Sequence, residues 1–183
     1  VVGAARSLRP RGKHLIASSI QHKSVLTSAE QLAQEGFEIS YVTPDALGRI
    51  DPVAVAALVR DDTTLVSVMY ANNEIGTVEP VAEIAKLLRA RGAKRPLLHT
   101  DACQASGQLP LDVGTLVVDL MRLNASKTYG PKGIGALYAR RGVALSPIIP
   151  GEQEQQLRGG TESVMLAAGF AAALEEAESL RAA

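Results

Sequence analysis

Apolar and polar positions along the chain follow two periods in turn. Short apolar or alternating runs fall at residues 14–17 (HLIA), 37–42 (FEISYV), 64–69 (TLVSVM), 96–100 (PLLHT), 117–123 (VVDLMRL) and 135–139 (GALYA). Runs of this length, bounded by Gly, Pro and polar clusters, predict strands. Helical spacing fills the intervals. Ser24 is placed to cap a helix whose apolar face holds Val25, Leu26, Ala29, Leu32 and Ala33, with Gly36 as its terminating glycine. Asp51 and Pro52 open a second helix through Arg60, as cap and first helical residue. Pro80 opens a third, with Val81, Ile84, Leu87 and Leu88 inward and an end near Gly92. Thr161 is expected to cap the last helix, residues 161–183, with Glu162 in its first turn favouring the dipole.

Strands separated by helices imply right-handed βαβ crossovers, hence an α/β fold with a mostly parallel central sheet and helices on both faces. Such sheets place ligands beyond the carboxyl ends of their strands. Four polar clusters follow predicted strand ends: residues 21–24 (QHKS), 70–76 (YANNEIG), 99–104 (HTDACQ) and 124–133 (NASKTYGPKG). An Asp at one strand end and a Lys about 26 residues later, after the next strand, is an arrangement that suits pyridoxal phosphate. The lysine forms a Schiff base with the aldehyde, and the carboxylate keeps the pyridine nitrogen protonated so that the ring withdraws electrons. Asp and Lys follow strands in many proteins, so spacing alone leaves other readings open. His14 and His99, in or beside strands, read as structural. Cys103, two residues after Asp101, reads as a small half-buried thiol rather than a nucleophile.

Composition narrows the class. The 183 residues carry 19 Lys+Arg and 19 Asp+Glu, a formal net charge of zero, which argues against nucleic-acid or anionic-membrane binding. A single cysteine excludes a disulfide framework within the chain. No apolar run approaches a membrane span and no signal peptide opens the sequence, so the expected location is the cytoplasm. No metal-ligand set is expected. The first residue is Val, and residues 1–8 read like a helix already under way, which suggests a piece of a larger protein.

Five stretches occur in order over nearly the whole chain: QHKSVL, VSVMYANNEIGTVEP, HTDACQASGQLPLDV, VDLMRLNASKTYGPKGIGALY and LRGGTESV. In them the sequence resembles the cysteine desulfurases, fold-type-I pyridoxal-phosphate enzymes of the class-V aminotransferase group. The resemblance implies an enzyme that converts L-cysteine to L-alanine and passes the sulfur, as an enzyme persulfide, to a scaffold or carrier protein for iron–sulfur cluster or thio-cofactor assembly. It implies a cytoplasmic homodimer. It also implies that residues 1–183 are the central part of the large cofactor-binding domain, with a phosphate-binding turn upstream and the catalytic cysteine on a small domain downstream.

Position by position, the resemblance implies these roles. Lys127 would carry the cofactor and move the substrate α-proton. His22 would stack on the ring and help move protons. Asp101 would pair with the ring nitrogen, and Asn73 and Gln104 would contact the phenolic oxygen, Asn73 also facing substrate. Asn124 and Ser126 would donate to the phosphate. Arg158 would line up with an active-site arginine, and Thr161 would reach the phosphate of a neighbouring subunit. Two departures stand out. The family commonly has Ser-x-His-Lys where this chain has Asn124-Ala125-Ser126-Lys127, so an imidazole is lost beside the phosphate. The loop after Pro150 is polar (GEQEQQ) where the family has a glycine run, and is expected to be mobile. The alternatives are another class-V enzyme, such as a selenocysteine lyase or an aminotransferase, and a relative that keeps the fold without the chemistry.

Overall fold

The computed structural model describes residues 1–182. Six strands form one sheet: β1 (His14–Ser18), β2 (Glu38–Val42), β3 (Thr63–Ser67), β4 (Leu97–Asp101), β5 (Leu120–Asn124) and β6 (Gly135–Ala139), in the order β2-β1-β3-β4-β5-β6. The first five are parallel, and β6 runs antiparallel to β5 at the edge. The α/β class and the mostly parallel sheet are therefore as the sequence pattern implies. β1, β3 and β4 are buried along their whole length, whereas the edge strands β2 and β6 are largely open. This burial explains why the central strands read as continuous apolar runs.

Helices α1 (Val2–Leu8), α2 (Lys23–Gln34), α3 (Pro52–Ala57), α4 (Val81–Arg89), α5 (Val113–Leu116), α6 (Gln153–Gln156) and α7 (Val164–Ala182) complete the order. Consecutive strand residues feed opposite cores. Leu15, Leu65, Leu97 and Leu120 pack with α1 and with Leu32 of α2, whereas Ile16, Val66, Leu98 and Met121 pack with α3, α4 and Leu116 of α5. This is the two-residue alternation of a pleated strand serving a helix layer on each face.

Several boundaries differ from the sequence expectation for local reasons. His22, not Ser24, caps α2, because its Nδ1 accepts the Ser24 backbone N–H at 3.2 Å. Gly36 does follow the C-cap Glu35, in the left-handed region at φ +85°. α3 stops at Ala57 rather than Arg60. The start of the strand expected at 117 is displaced to Leu120, because Asp112 caps a short helix that ends at Val117 in a left-handed conformation. α7 begins at Val164, so Thr161 is not its cap and no acidic residue lies in its first turn. Its first turn closes instead on the Ser163 carbonyl, which accepts from Ala167 N at 2.9 Å. Ala183, the end of the expected helix, lies outside the described residues.

Candidate functional site

The strand order reverses between β1 and β3, and the carboxyl ends of β1, β3, β4 and β5 open toward one cavity of about 150 Å³. Its lining includes His22, Asn73, Asp101, Gln104, Asn124 and Lys127. Six positions drawn from four separate strand ends thus converge, where an open parallel sheet puts its ligand. A larger cavity of about 440 Å³ adjoins, lined by Ser126, Gly135 and Leu137 among others, and shares Arg122 and Asn124 with the first.

Local folding explains each placement. Asn72, buried, donates through Nδ2 to the Ile20 carbonyl at 3.0 Å and accepts from Glu74 N and Ile75 N at 2.8 and 3.0 Å. It thereby ties the loop after β1 to the loop after β3 and leaves its neighbour Asn73 exposed. Asp101 closes β4 and is buried. Its Oδ1 accepts Cys103 N at 3.1 Å, and its Oδ2 faces Arg122 Nη1 at 3.5 Å. Asn124 closes β5 and caps a single 3-10 turn, residues Ala125–Lys127, accepting from Ser126 N and Ser126 Oγ at 3.0 and 2.8 Å. Thr128 Oγ1 and Gly130 N both donate to the Ala125 carbonyl, and Tyr129 between them adopts φ +58°. A side chain at Gly130 would lie 3.2 Å from Cβ of Ala173. Helix α7 lays Gly169, Ala173 and Ala177 against this turn and its surroundings, so the small residues let it brace the lysine closely.

The electrostatics separate reactive from inert groups. Burial, then the Asp101 charge, pushes the Cys103 thiol up to about 12, which keeps it protonated at neutral pH. Burial holds His99 well below the usual imidazole range. Its Nδ1 meets Ser67 Oγ at 2.8 Å, and Ser67 in turn accepts from Gln21 Nε2 at 2.9 Å. His14 is likewise buried between Thr63 Oγ1 and Ser40 Oγ. Both histidines are structural, as the sequence implied.

Three expected residues lie apart from the smaller cavity. Ser126 lines only the larger one. Arg158 donates to the Gly159 carbonyl and lines neither cavity. Thr161 is exposed and also lines neither. The loop containing Arg158 closes on itself through Gly159 N to Ile149 O at 2.8 Å, with Glu154, Gln155 and Gln156 in left-handed conformations. The residue that sequence reasoning missed is Arg122. It sits in the middle of a parallel-sheet strand, on the same face as Asn124 two residues on. A charge in such a strand is the signal that could have drawn notice to it. Its partner Ser24, 98 positions away, is invisible to any spacing rule.

The class-V aminotransferase family model matches residues 1–183. The chain belongs to the class-V aminotransferase family. A cysteine desulfurase IscS of Ectopseudomonas mendocina is 52% identical over 141 residues, 77% of this chain and 34% of that relative. A solved NifS-like protein superposes with a TM-score of 0.93 at 38% identity, over 98% of this chain and 50% of that one. SspA, solved in complex with cysteine, superposes at 0.85 with 38% identity, over 95% of this chain and 53% of that one. The chain thus spans about a third to a half of the length of the relatives it matches.

Proposed function

We propose that residues 1–183 are the central part of the cofactor-binding domain of a pyridoxal-phosphate-dependent cysteine desulfurase. The observation that carries this reading is the single cavity that collects an amine, a buried carboxylate, an imidazole and two carboxamides from Lys127, Asp101, His22, Asn73 and Gln104. That donor set fits the group. Lys127 offers a covalent anchor for an aldehyde, Asp101 a counter-charge for a ring nitrogen, and the two carboxamides donors for a phenolic oxygen. Asn124 and Ser126 are the proposed phosphate donors, and Thr161 is assigned to the phosphate of a partner subunit in a homodimer. Arg158 is assigned to the substrate carboxylate, as is Asn73 to the substrate.

When bound, pyridoxal phosphate supplies an electron sink that labilises bonds at the α-carbon of an amino acid. The chain's own residues do the rest. Asp101, nearly sealed from water, would face one ligand atom in a low-dielectric setting. Lys127, on a braced turn that lines the cavity, would take and return a proton at the α-carbon. His22, the cap of α2, lines the same cavity. Cys103 stays out of the chemistry because its thiol is buried and held protonated. The sulfur-accepting thiol is therefore assigned to the protein outside residues 1–183. L-Cysteine as substrate rests on the relatives, several of which carry the name cysteine desulfurase, and on the cysteine held by SspA. A sulfur-accepting scaffold or carrier protein and a cytoplasmic location complete the proposal.

The test uses the full-length protein. Added pyridoxal phosphate should give a visible absorbance band and a borohydride-trapped adduct on Lys127, and Lys127→Ala should abolish the adduct. An adduct trapped on Lys132 or Lys23 in the unsubstituted protein overturns the assignment.

A further inference from the structure

The neutral imidazole of His22 can carry its proton on either ring nitrogen, and three contacts decide which. Ser24 N–H donates to His22 Nδ1 at 3.2 Å as the helix cap. Ser24 Oγ lies 2.8 Å from the same Nδ1. Arg122 Nη1 lies 3.0 Å from Ser24 Oγ. A guanidinium only donates, so Ser24 Oγ accepts from Arg122 and its own hydroxyl hydrogen is free to go to His22. Nδ1 then receives two donors, and a nitrogen in that position cannot also hold a proton. Nε2 makes no hydrogen bond among the described residues, and the ring lines the cavity.

We propose that Arg122 is a positioning residue, bridging Asp101 and Ser24, that fixes His22 as the tautomer protonated at Nε2. The tautomer follows from these contacts alone; its consequence for the reaction rests on the reading of the site proposed above. In that reading His22 meets the ligand as a hydrogen-bond donor through Nε2, while Nδ1 is tied to the N-terminus of α2 and takes no part. Arg122 touches both Asp101 Oδ2 and Ser24 Oγ through the same Nη1, so the carboxylate and the imidazole are held by one guanidinium. Their separation and orientation are then set together rather than by two independent loops.

The experiment is 15N NMR of the histidine-labelled full-length protein at about pH 8, where an ordinary imidazole is neutral. In the unsubstituted protein without added cofactor, Nδ1 of His22 should show a pyridine-type shift and Nε2 a pyrrole-type shift. Arg122→Met removes the donor and lets Ser24 Oγ accept from the ring instead, so the Nδ1-protonated fraction should rise about three- to tenfold, the range of a single hydrogen bond. Arg122→Lys keeps a donor and should keep the Nε2 tautomer. Ser24→Ala leaves only the backbone donor on Nδ1 and should fall between the unsubstituted protein and Arg122→Met. A pyrrole-type Nδ1 in the unsubstituted protein, or equal shifts in the Met and Lys variants, overturns the proposal. The cofactor reading is tested apart from it: pyridoxal phosphate that fails to bind while Nε2 stays protonated sinks that reading and supports this one.

Discussion

Asp101 and Asp119 are both buried carboxylates of the β4–β5 region, at opposite ends of the sheet, and their surroundings differ in kind. Asp119, just before β5, has a side chain with no solvent exposure. It accepts from Arg95 Nη1 and Nη2 at 2.6 and 2.7 Å, from Arg140 Nε at 2.7 Å and from Leu98 N at 2.8 Å. Burial works to raise its pKa, but the hydrogen bonds from Arg95, Leu98 N and Arg140 outweigh it and hold the carboxyl below its ordinary range. Asp101 has one backbone N–H at 3.1 Å and one guanidinium at 3.5 Å. A carboxylate offers about four lone-pair sites. Asp119 has four donors and no room for a ligand, whereas Asp101 keeps acceptor capacity free beside a cavity. One is saturated at the amino end of the sheet and the other keeps free acceptor sites at the carboxyl end.

The comparison breaks first at Asp119. Asp119→Ala strands Arg95 against a buried site and should cost about 3–5 kcal/mol of stability, read as a lowered urea midpoint. A loss below 1 kcal/mol would mean that the network contributes nothing net. Asp101→Ala should leave the midpoint within about 1 kcal/mol, since one backbone hydrogen bond and a long ion pair are lost. Under the function proposed above, it should cut the full-length protein's turnover by about two to three orders of magnitude, at about 1.4 kcal/mol per tenfold. Near-normal turnover would make Asp101 a structural residue like Asp119.

Acid sharpens the contrast. A carboxyl held low in the folded state contributes stability above its unfolded value and loses it as pH falls through the folded one. Between about pH 4 and more acid conditions the unsubstituted protein should therefore lose the Asp119 share, and Asp119→Asn should fall less over the same range. Parallel declines in the two proteins would assign the acid sensitivity elsewhere. The smallest effect belongs to Cys103, which shares the lining with Asp101. With a thiol at about 12 its thiolate is roughly a thousandfold scarcer than that of free cysteine, so iodoacetamide should label it slowly. Cys103→Ser should keep the proposed sulfur transfer of the full-length protein within about twofold, a change of under about 0.5 kcal/mol. Loss of sulfur transfer with an intact fold would make Cys103 the nucleophile.

Most of the frame was legible in the sequence because its signals are local. Apolar runs such as LIA in β1 and LVS in β3 fit strands buried on both faces, as the centre of a parallel sheet is, and Pro52 and Gly36 mark helix ends through their own backbone limits. The Lys127 and Asp101 words lie at strand ends, so their convergence followed from the topology rule. The edges were less legible. A helix cap depends on which side chain turns toward the first amide, and at α2 that is His22 rather than Ser24. At α7 the chain runs three residues past Thr161 before the first turn closes.

The sequence alone determined the layer architecture, the family words and most of the groups at the cavity, Arg122 excepted, because periodicity and backbone constraint act between near neighbours. Tertiary structure alone decided that Arg122 meets Asp101 and Ser24, that Arg158 and Thr161 stand outside this chain's own cavities, and that Asp119 is saturated while Asp101 is not. The contacts among them join groups 21 to 98 positions apart along the chain, and hydrogen bonds fall off within a few tenths of an ångström, a precision that no pattern along the chain encodes.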